Sequence, residues 1–189
     1  MFSLPGTPVL RYGDEIGMGD DLHLTERNSV RTPMQWSDEP QAGFSTAKKT
    51  VLPVISKGPF SYLRINVEEQ RRDPNSMLNW TERIIRLRKE CPEIGWGTYK
   101  VLNTRDSSVL AIRYDWRNNA VLTVHNFNEK QQSFTLDVGG PEGNRLINLV
   151  GDEHSFAGSN GKHKIVLQGY GYCWYRVGGL GHILKREKY

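Results

Sequence analysis

The densest collection of reactive side chains lies between residues 14 and 31: Asp14, Glu15, Asp20, Asp21, His23, Glu26, Arg27, Asn28 and Arg31. Adjacent carboxylates such as Asp14-Glu15 can move protons or hold a cation. Asp20-Asp21 lacks the alternating oxygen spacing of a calcium loop, so no metal is expected. Arg27 and Arg31 stand four residues apart. Two guanidinium forks at that interval can grip a carboxylate or sugar hydroxyls. The same spacing occurs in surface loops held by local ion pairs, and both readings stand at this level. The five histidines (His23, His125, His154, His163 and His182) are scattered, and none has zinc-site spacing. His154 and His163 fall in expected loops, His125 in an expected strand. There is no Gly-x-Ser-x-Gly elbow and no phosphate-binding glycine loop. No cofactor is expected.

The elements that must position these groups change character near residue 97. Pro8–Tyr12 (PVLRY) reads as one short strand between glycines. Residues 13–72 follow with little periodicity and much Gly, Pro, Asp, Asn and Ser. Met34, Trp36, Phe44, Phe60 and Tyr62 run through this stretch, so it reads as an ordered, packed loop rather than a disordered one. A helix is expected from Asp73, as N-cap, with Pro74 in its first turn, to Glu90; Cys91-Pro92 ends it. Met77, Trp80, Ile84 and Leu87 form its apolar stripe, widened by Leu78 and Ile85. Beyond Gly97 the period becomes two. Strands are expected at Val109–Tyr114, Ala120–Asn126, Ser133–Val138, Arg145–Val150, Lys164–Gln168 and Tyr172–Val177. Turns at Arg117-Asn118-Asn119, Gly139-Gly140-Pro141, Gly151-Asp152 and Ser159-Asn160-Gly161 punctuate them. Strands at this spacing without intervening helices predict an antiparallel sandwich. The first half, with one strand and one helix, is not a self-sufficient layer structure.

Composition narrows the class. Of 189 residues, 37% are hydrophobic and 24% charged, which excludes a wholly disordered or collagen-like chain. No run approaches the length of a membrane span. Met1–Leu10 has no basic region and holds two prolines, so no signal peptide is expected there. Two cysteines, Cys91 and Cys173, outside any Cys-x-x-Cys pair, fit a reducing cytoplasm. The net charge of +4 comes from short basic clusters: Arg71-Arg72, the Arg83/Arg86/Arg88/Lys89 face, and Lys185-Arg186-Glu187-Lys188. These read as solvated surface rather than a polyanion site.

Two segments carry a resemblance. PGTPVLRYGDEIGMGDDL (Pro5–Leu22) and RNSVRTPMQWSDEPQAGFS (Arg27–Ser45) resemble the end of the catalytic barrel in the α-amylase superfamily, glycoside hydrolase family 13. The RTPMQW run is shared by its trehalose synthase and oligo-1,6-glucosidase branches, and the short GDDLHLTE spacer resembles the former. NVEEQRRDPNSMLNW, RKECPEIGWGTYKVL and GYGYCWYRVGGL extend the likeness along the chain. The resemblance implies an α+β arrangement. Residues 1–97 would hold the eighth strand, active-site loop and eighth helix of a (β/α)8 barrel. Residues 98–178 would form the β-sandwich domain C, and 179–189 a basic tail. It implies a retaining mechanism on maltose, trehalose or related α-glucosides. The nucleophilic Asp, the acid/base Glu and the stabilising Asp belong to motifs upstream of the eighth strand that do not occur here. No catalytic residue and no metal are therefore expected in this chain, which is expected to be inactive alone. Arg31 first, and Arg27 second, resemble the arginine that closes the glucose pocket. Asp14 and Glu15 are expected to orient the loop, and Met34-Gln35-Trp36 to anchor it.

Other readings remain open from sequence. One is a truncated α-glucosidase or oligo-1,6-glucosidase. Another is a carbohydrate-binding or assembly module using Tyr114, Trp116, Phe127, Phe134, Tyr170, Tyr172, Trp174 and Tyr175, or completing an upstream barrel fragment. Neither nucleic acid nor membrane is an expected partner.

Overall fold

The computed structural model describes residues 1–139 and 144–178. The expected basic tail, His182, and Gly140-Pro141 of an expected turn lie outside the described residues. The chain forms two compact units, Pro8–Arg86 and Met1–Thr7 with the chain from Leu87 onward.

Among the described residues, the second of these is built on eight strands: β1 Thr98–Leu102, β2 Val109–Trp116, β3 Asn119–Asn126, β4 Gln132–Leu136, β5 Arg145–Asn148, β6 Ser155–Phe156, β7 His163–Leu167 and β8 Tyr172–Val177. Six form one antiparallel sheet in the order β1-β2-β3-β8-β5-β6, and β4 pairs with β7 in a smaller sheet. Alternate residues of both sheets meet in one core: Val109, Ala111, Leu122 and Val124 against Phe134, Leu136, Ile165 and Leu167. This is the expected antiparallel sandwich. β7 alternates buried and exposed along its length, and its core side chains lie at every second residue.

Details depart from the sequence reading. β1 and β6 were not expected; β1 is an edge strand with four exposed residues and shows no amphipathic alternation. The β2–β3 loop is two residues, Arg117-Asn118, and Asn119 already belongs to β3. Arg117 takes a left-handed φ of 54°, as the first residue of so tight a hairpin must. His163 is not in a loop but fully buried in β7, where its Nδ1 meets Ser155 Oγ at 2.8 Å.

β3 and β8 are buried on both faces. The face away from the core carries Ile112, Tyr114, Val121, Thr123, Trp174 and Arg176, all buried. Helix α3 (Pro92–Trp96) packs over β2 and β3, and the Met1–Thr7 segment covers Tyr114, whose hydroxyl donates to Ser3 O at 2.7 Å. Arg88 holds that segment by donating to Phe2 O and to Gly6 O. Under this cover Arg176 pairs with Glu93, which is 1% exposed.

The Pro8–Arg86 unit has little regular structure. Three 3-10 turns (Asp14–Ile16, Glu26–Val30 and Pro40–Gly43) precede helix α1 (Val67–Arg72). Ile16, Met34 and Val67 make its buried centre, with Met18, Ile65 and Leu78 against them. Two expectations fail here. Pro8–Tyr12 is not a strand, because no strand among the described residues lies beside it to exchange ladder hydrogen bonds, and Val9 is 83% exposed. The long helix begins at Met77 (α2, Met77–Glu90) rather than at Asp73. Ser76 is its cap, Oγ accepting from Asn79 N at 3.2 Å. Asp73 instead closes a turn, its carboxylate accepting from Asn75 N at 2.8 Å. Of the expected stripe on α2, Ile84 is buried and Met77 is 47% exposed.

Two measurements test this packing. Arg176→Met leaves the Glu93 carboxylate buried without its partner and should cost the sandwich unit about 3–5 kcal/mol in denaturant melts. A double Glu93→Leu/Arg176→Met variant should recover most of that loss; a double variant as weak as the single one contradicts the assignment. The second concerns His125, whose ring packs between Phe127 and Tyr172. Burial pushes its pKa down to about 4, with a smaller push from the Met1 ammonium. The unfolded chain therefore binds this proton first as pH falls, so its contribution is intact above about 6.5 and is lost between there and about 4. The melting temperature should fall over that window, and His125→Gln should flatten the fall.

Candidate functional site

The polar cluster of residues 14–31 is a loop closed at its base. Tyr12 Oη donates to Thr32 O at 2.7 Å, bringing together residues twenty apart in sequence. Gly13 and Gly17 flank the first 3-10 turn in left-handed conformations, φ 96° and 70°. Glycine is suited to both, having no Cβ to clash. Asp14 and Glu15 are committed locally. Asp14 Oδ2 accepts from Arg11 N at 3.0 Å, and Glu15 Oε2 accepts from Gly13 N at 2.7 Å. Arg11 lies 3.6 Å from Asp14 and 3.4 Å from Asp20, tying two parts of the loop together. Asp21 caps a tight turn, accepting from His23 N at 3.1 Å, and its own N–H donates to Ser29 O.

Arg27 lies within the Glu26–Val30 turn and Arg31 directly follows it. Both side chains are exposed, and among the described residues neither has an ion-pair partner. The chain then turns inward: Thr32, Pro33, Met34 and Gln35 are all buried. Gln35 Nε2 donates to Ile65 O, while Gln35 O and Trp36 O accept from Val67 N and Glu68 N at 3.0 Å each. Met34 and Gln35 anchor the loop; Trp36 is 47% exposed. A pair of unpaired guanidinium groups thus stands on a loop whose two ends are fixed, at the neck and at Gln35. Such groups can bind a carboxylate or orient hydroxyls.

Several supporting residues escaped sequence reasoning. Asn66 caps α1, its Oδ1 accepting from Glu69 N at 2.9 Å. The Asn-x-x-Glu spacing at Asn66–Glu69 was the available signal. Gln70 binds Ile16 O at 2.7 Å and receives Leu78 N at 2.9 Å, joining the first turn to α2. Nothing in local pattern marks such a long-range amide. Among the described residues, no group of three or more His, Cys, Asp or Glu could hold a metal ion, and no helix is long and apolar enough to cross a membrane.

The α-amylase catalytic-domain model matches residues 1–97, more than half of the chain. The chain belongs to the α-amylase family. A second model, the C-terminal domain of sucrose hydrolase-like proteins, matches residues 119–176, which run from β3 through β8. Trehalose synthase of Pimelobacter sp. (strain R48) is 37% identical over 94% of this chain and 32% of its own length. Among solved structures, a trehalulose synthase mutant in complex with Tris aligns with a TM-score of 0.73 at 26% identity, covering 93% of this chain and 36% of that one. Trehalose-6-phosphate hydrolase of Bacillus licheniformis aligns with a TM-score of 0.72 at 26% identity, covering 94% of this chain and 37% of that one. This α-amylase-family chain therefore spans about a third of the length of these relatives.

Gln35→Ala removes the amide that binds Ile65 O and should destabilise this unit by about 1–3 kcal/mol. The readout is hydrogen exchange at the Val67 and Glu68 amides, which should speed up. The sandwich amides of β3 and β8 should be unmoved, and equal acceleration in both units contradicts this account.

Proposed function

We propose that the chain is the C-terminal portion of a trehalose synthase-type enzyme that interconverts maltose and trehalose through a retaining glucosyl-enzyme intermediate. The observation that carries this is the 37% identity to a trehalose synthase over 94% of the chain. In this reading, residues 1–97 supply the last wall of a (β/α)8 barrel, 98–178 supply domain C, and 179–189 are a basic tail. The nucleophile and the acid/base come from barrel elements outside these residues. An upstream barrel portion is then the partner, and α-glucosides are the ligands of the completed pocket.

The roles divide accordingly. Arg31, and next to it Arg27, contact hydroxyls at the closed end of the glucose pocket and set the sugar's position. Asp14 and Glu15 hold the loop that carries them. When glucose released from maltose stays in the pocket and attacks the glucosyl-enzyme in a new orientation, trehalose results; water attack gives glucose. Retention of the released glucose is what separates the isomerase from a hydrolase. A reducing cytoplasmic setting belongs to the same proposal, supported by Cys91 and Cys173, both buried and not joined in a disulfide.

The test is conversion of maltose and of trehalose, resolving both disaccharides and glucose by chromatography. The chain alone should convert neither. Combined with the remainder of a trehalose synthase barrel it should convert both. Arg31→Ala should then lower kcat/KM at least tenfold, about 1.4 kcal/mol, with Arg27→Ala milder. Conversion by the isolated chain that Arg31→Ala abolishes overturns the division of roles.

A further inference from the structure

We infer that the layer between α3 and the larger sheet encloses an internal water site, held by Glu93 Oε2, Arg176 Nε and Thr123 Oγ1. The water completes the hydrogen bonding of the buried ion pair. The inference concerns the sandwich unit alone and stands apart from the function proposed above.

The first ground is unmet hydrogen-bonding capacity. The pair is made through Arg176 Nη1 and Glu93 Oε1. Arg176 Nη2 reaches Glu90 O at 3.5 Å and Cys91 Sγ at 3.8 Å. Arg176 Nε and Glu93 Oε2 are buried without a hydrogen-bond partner among the described residues, and so is Thr123 Oγ1. These residues are 7%, 1% and 0% exposed in that order, so bulk solvent does not reach the three atoms. A buried ion pair recovers its desolvation cost only when its remaining protons and lone pairs are also met. Buried polar atoms that the protein itself leaves over are ordinarily met by enclosed water.

The second ground is placement. Residues two apart on a strand share a face of the sheet. Val121 stands opposite Arg176, and Thr123, two residues on, stands opposite Trp174. Thr123 is therefore the diagonal neighbour of Arg176, about 7–8 Å away between strand positions, a gap that a long side chain and one bridging water can close. Glu93 comes onto Arg176 from α3, which packs over β2 and β3. The three unpartnered atoms thus come from three elements packed on one patch of sheet. His125 Nε2, also buried without a partner, lies two residues further along β3 on the same face. Ile112 on β2 and Trp174 on β8 flank Thr123 directly. A short side chain between two longer ones leaves depth above it, which is the room a water needs.

The third ground is the chemistry of the atoms. Arg176 Nε can only donate, Glu93 Oε2 as a carboxylate oxygen accepts, and the Thr123 hydroxyl does either. Water matches this mixed set, because it donates and accepts from one small molecule. A bound ion is disfavoured, since the guanidinium and carboxylate charges cancel each other. An apolar occupant is disfavoured too, since it leaves the same polar atoms unmet.

The experiment uses the full chain with no added ligand. Water-selective nuclear magnetic resonance should show a rotating-frame cross-peak between water and the Arg176 Nε proton, of sign opposite to the diagonal. Proton exchange gives the other sign, so an exchange-signed peak alone, or no peak, overturns the inference. This readout needs no variant. Denaturant melts supply the second. Thr123→Val keeps the branched shape and removes the hydroxyl. With a water bound there, it should raise the unfolding equilibrium constant about fivefold. In the Glu93→Leu/Arg176→Met background, where the water has lost its other partners, the same change should be neutral or stabilising. A hydroxyl that is simply buried and unmet gives the reverse in the wild-type background. A Thr123→Val chain at least as stable as the wild type therefore overturns the site. An equal cost in both backgrounds separates Thr123 from the ion pair and overturns it as well.

Discussion

The sandwich unit depends on a sheet that must be closed to solvent on both sides. The smaller sheet covers one face of β3 and β8, and α3 with the Met1–Thr7 segment covers the other. On the second face sits the buried ion pair of Arg176 and Glu93. Two charges taken out of water recover their desolvation cost only if they stay together. The pair therefore fixes where α3 lies across the strands: a shift that parted Glu93 from Arg176 would leave both charges buried and uncompensated. Hydrophobic cover alone tolerates sliding; an ion pair with one partner on each layer does not. Arg176 Nη2 also reaches Glu90 O at 3.5 Å, so the same guanidinium touches the residue that ends α2.

The Pro8–Arg86 unit solves a different problem. With few ladders to satisfy its backbone, it uses side-chain amides. Gln35, Gln70 and Asn79 each bond to main-chain groups at a distance in sequence, and Asn66 bonds Tyr62 O one turn back. Buried backbone groups need partners wherever they lie, and amides supply a donor and an acceptor from one side chain. The small apolar centre of Ile16, Met34 and Val67 excludes water from part of this network. Direction comes from the amides rather than from the apolar contacts.

These two solutions explain what could be read from the residues in advance. β8 was legible to the residue, because Gly171 and Gly178 bracket an aromatic-rich run, Tyr172–Val177, broken only by Arg176. β2 and β3 were legible through the hairpin between them. β1 was not, because its four exposed residues carry no burial pattern. The capping of α2 went to Ser76 instead of Asp73 because Asx-turn and N-cap chemistry use the same side-chain oxygen, and only the path of the preceding helix α1 decides between them. Pro8–Tyr12 shows the opposite failure. Its β-forming composition is real, yet strand identity belongs to a pair, and no pairing partner lies among the described residues.

In the candidate site, the carboxylates and the arginines parted company for a reason that spacing does not express. Asp14 and Glu15 are adjacent, but each folds back on a backbone N–H within three residues, and so neither is poised to serve a substrate as a free base. Arg27 lies within, and Arg31 directly follows, a turn held by its own i to i+3 backbone bonds, Asn28 N to Thr25 O and Arg31 N to Asn28 O. The loop closes at Tyr12–Thr32, one residue beyond Arg31, so the base of that side chain is held by a bond to the backbone of its neighbour. Arg27 sits farther from this neck, inside the Glu26–Val30 turn. A group that must position a sugar for attack within a few tenths of an ångström gains from the shorter lever. Within the proposed function, that difference in anchoring is the physical argument for placing Arg31 ahead of Arg27.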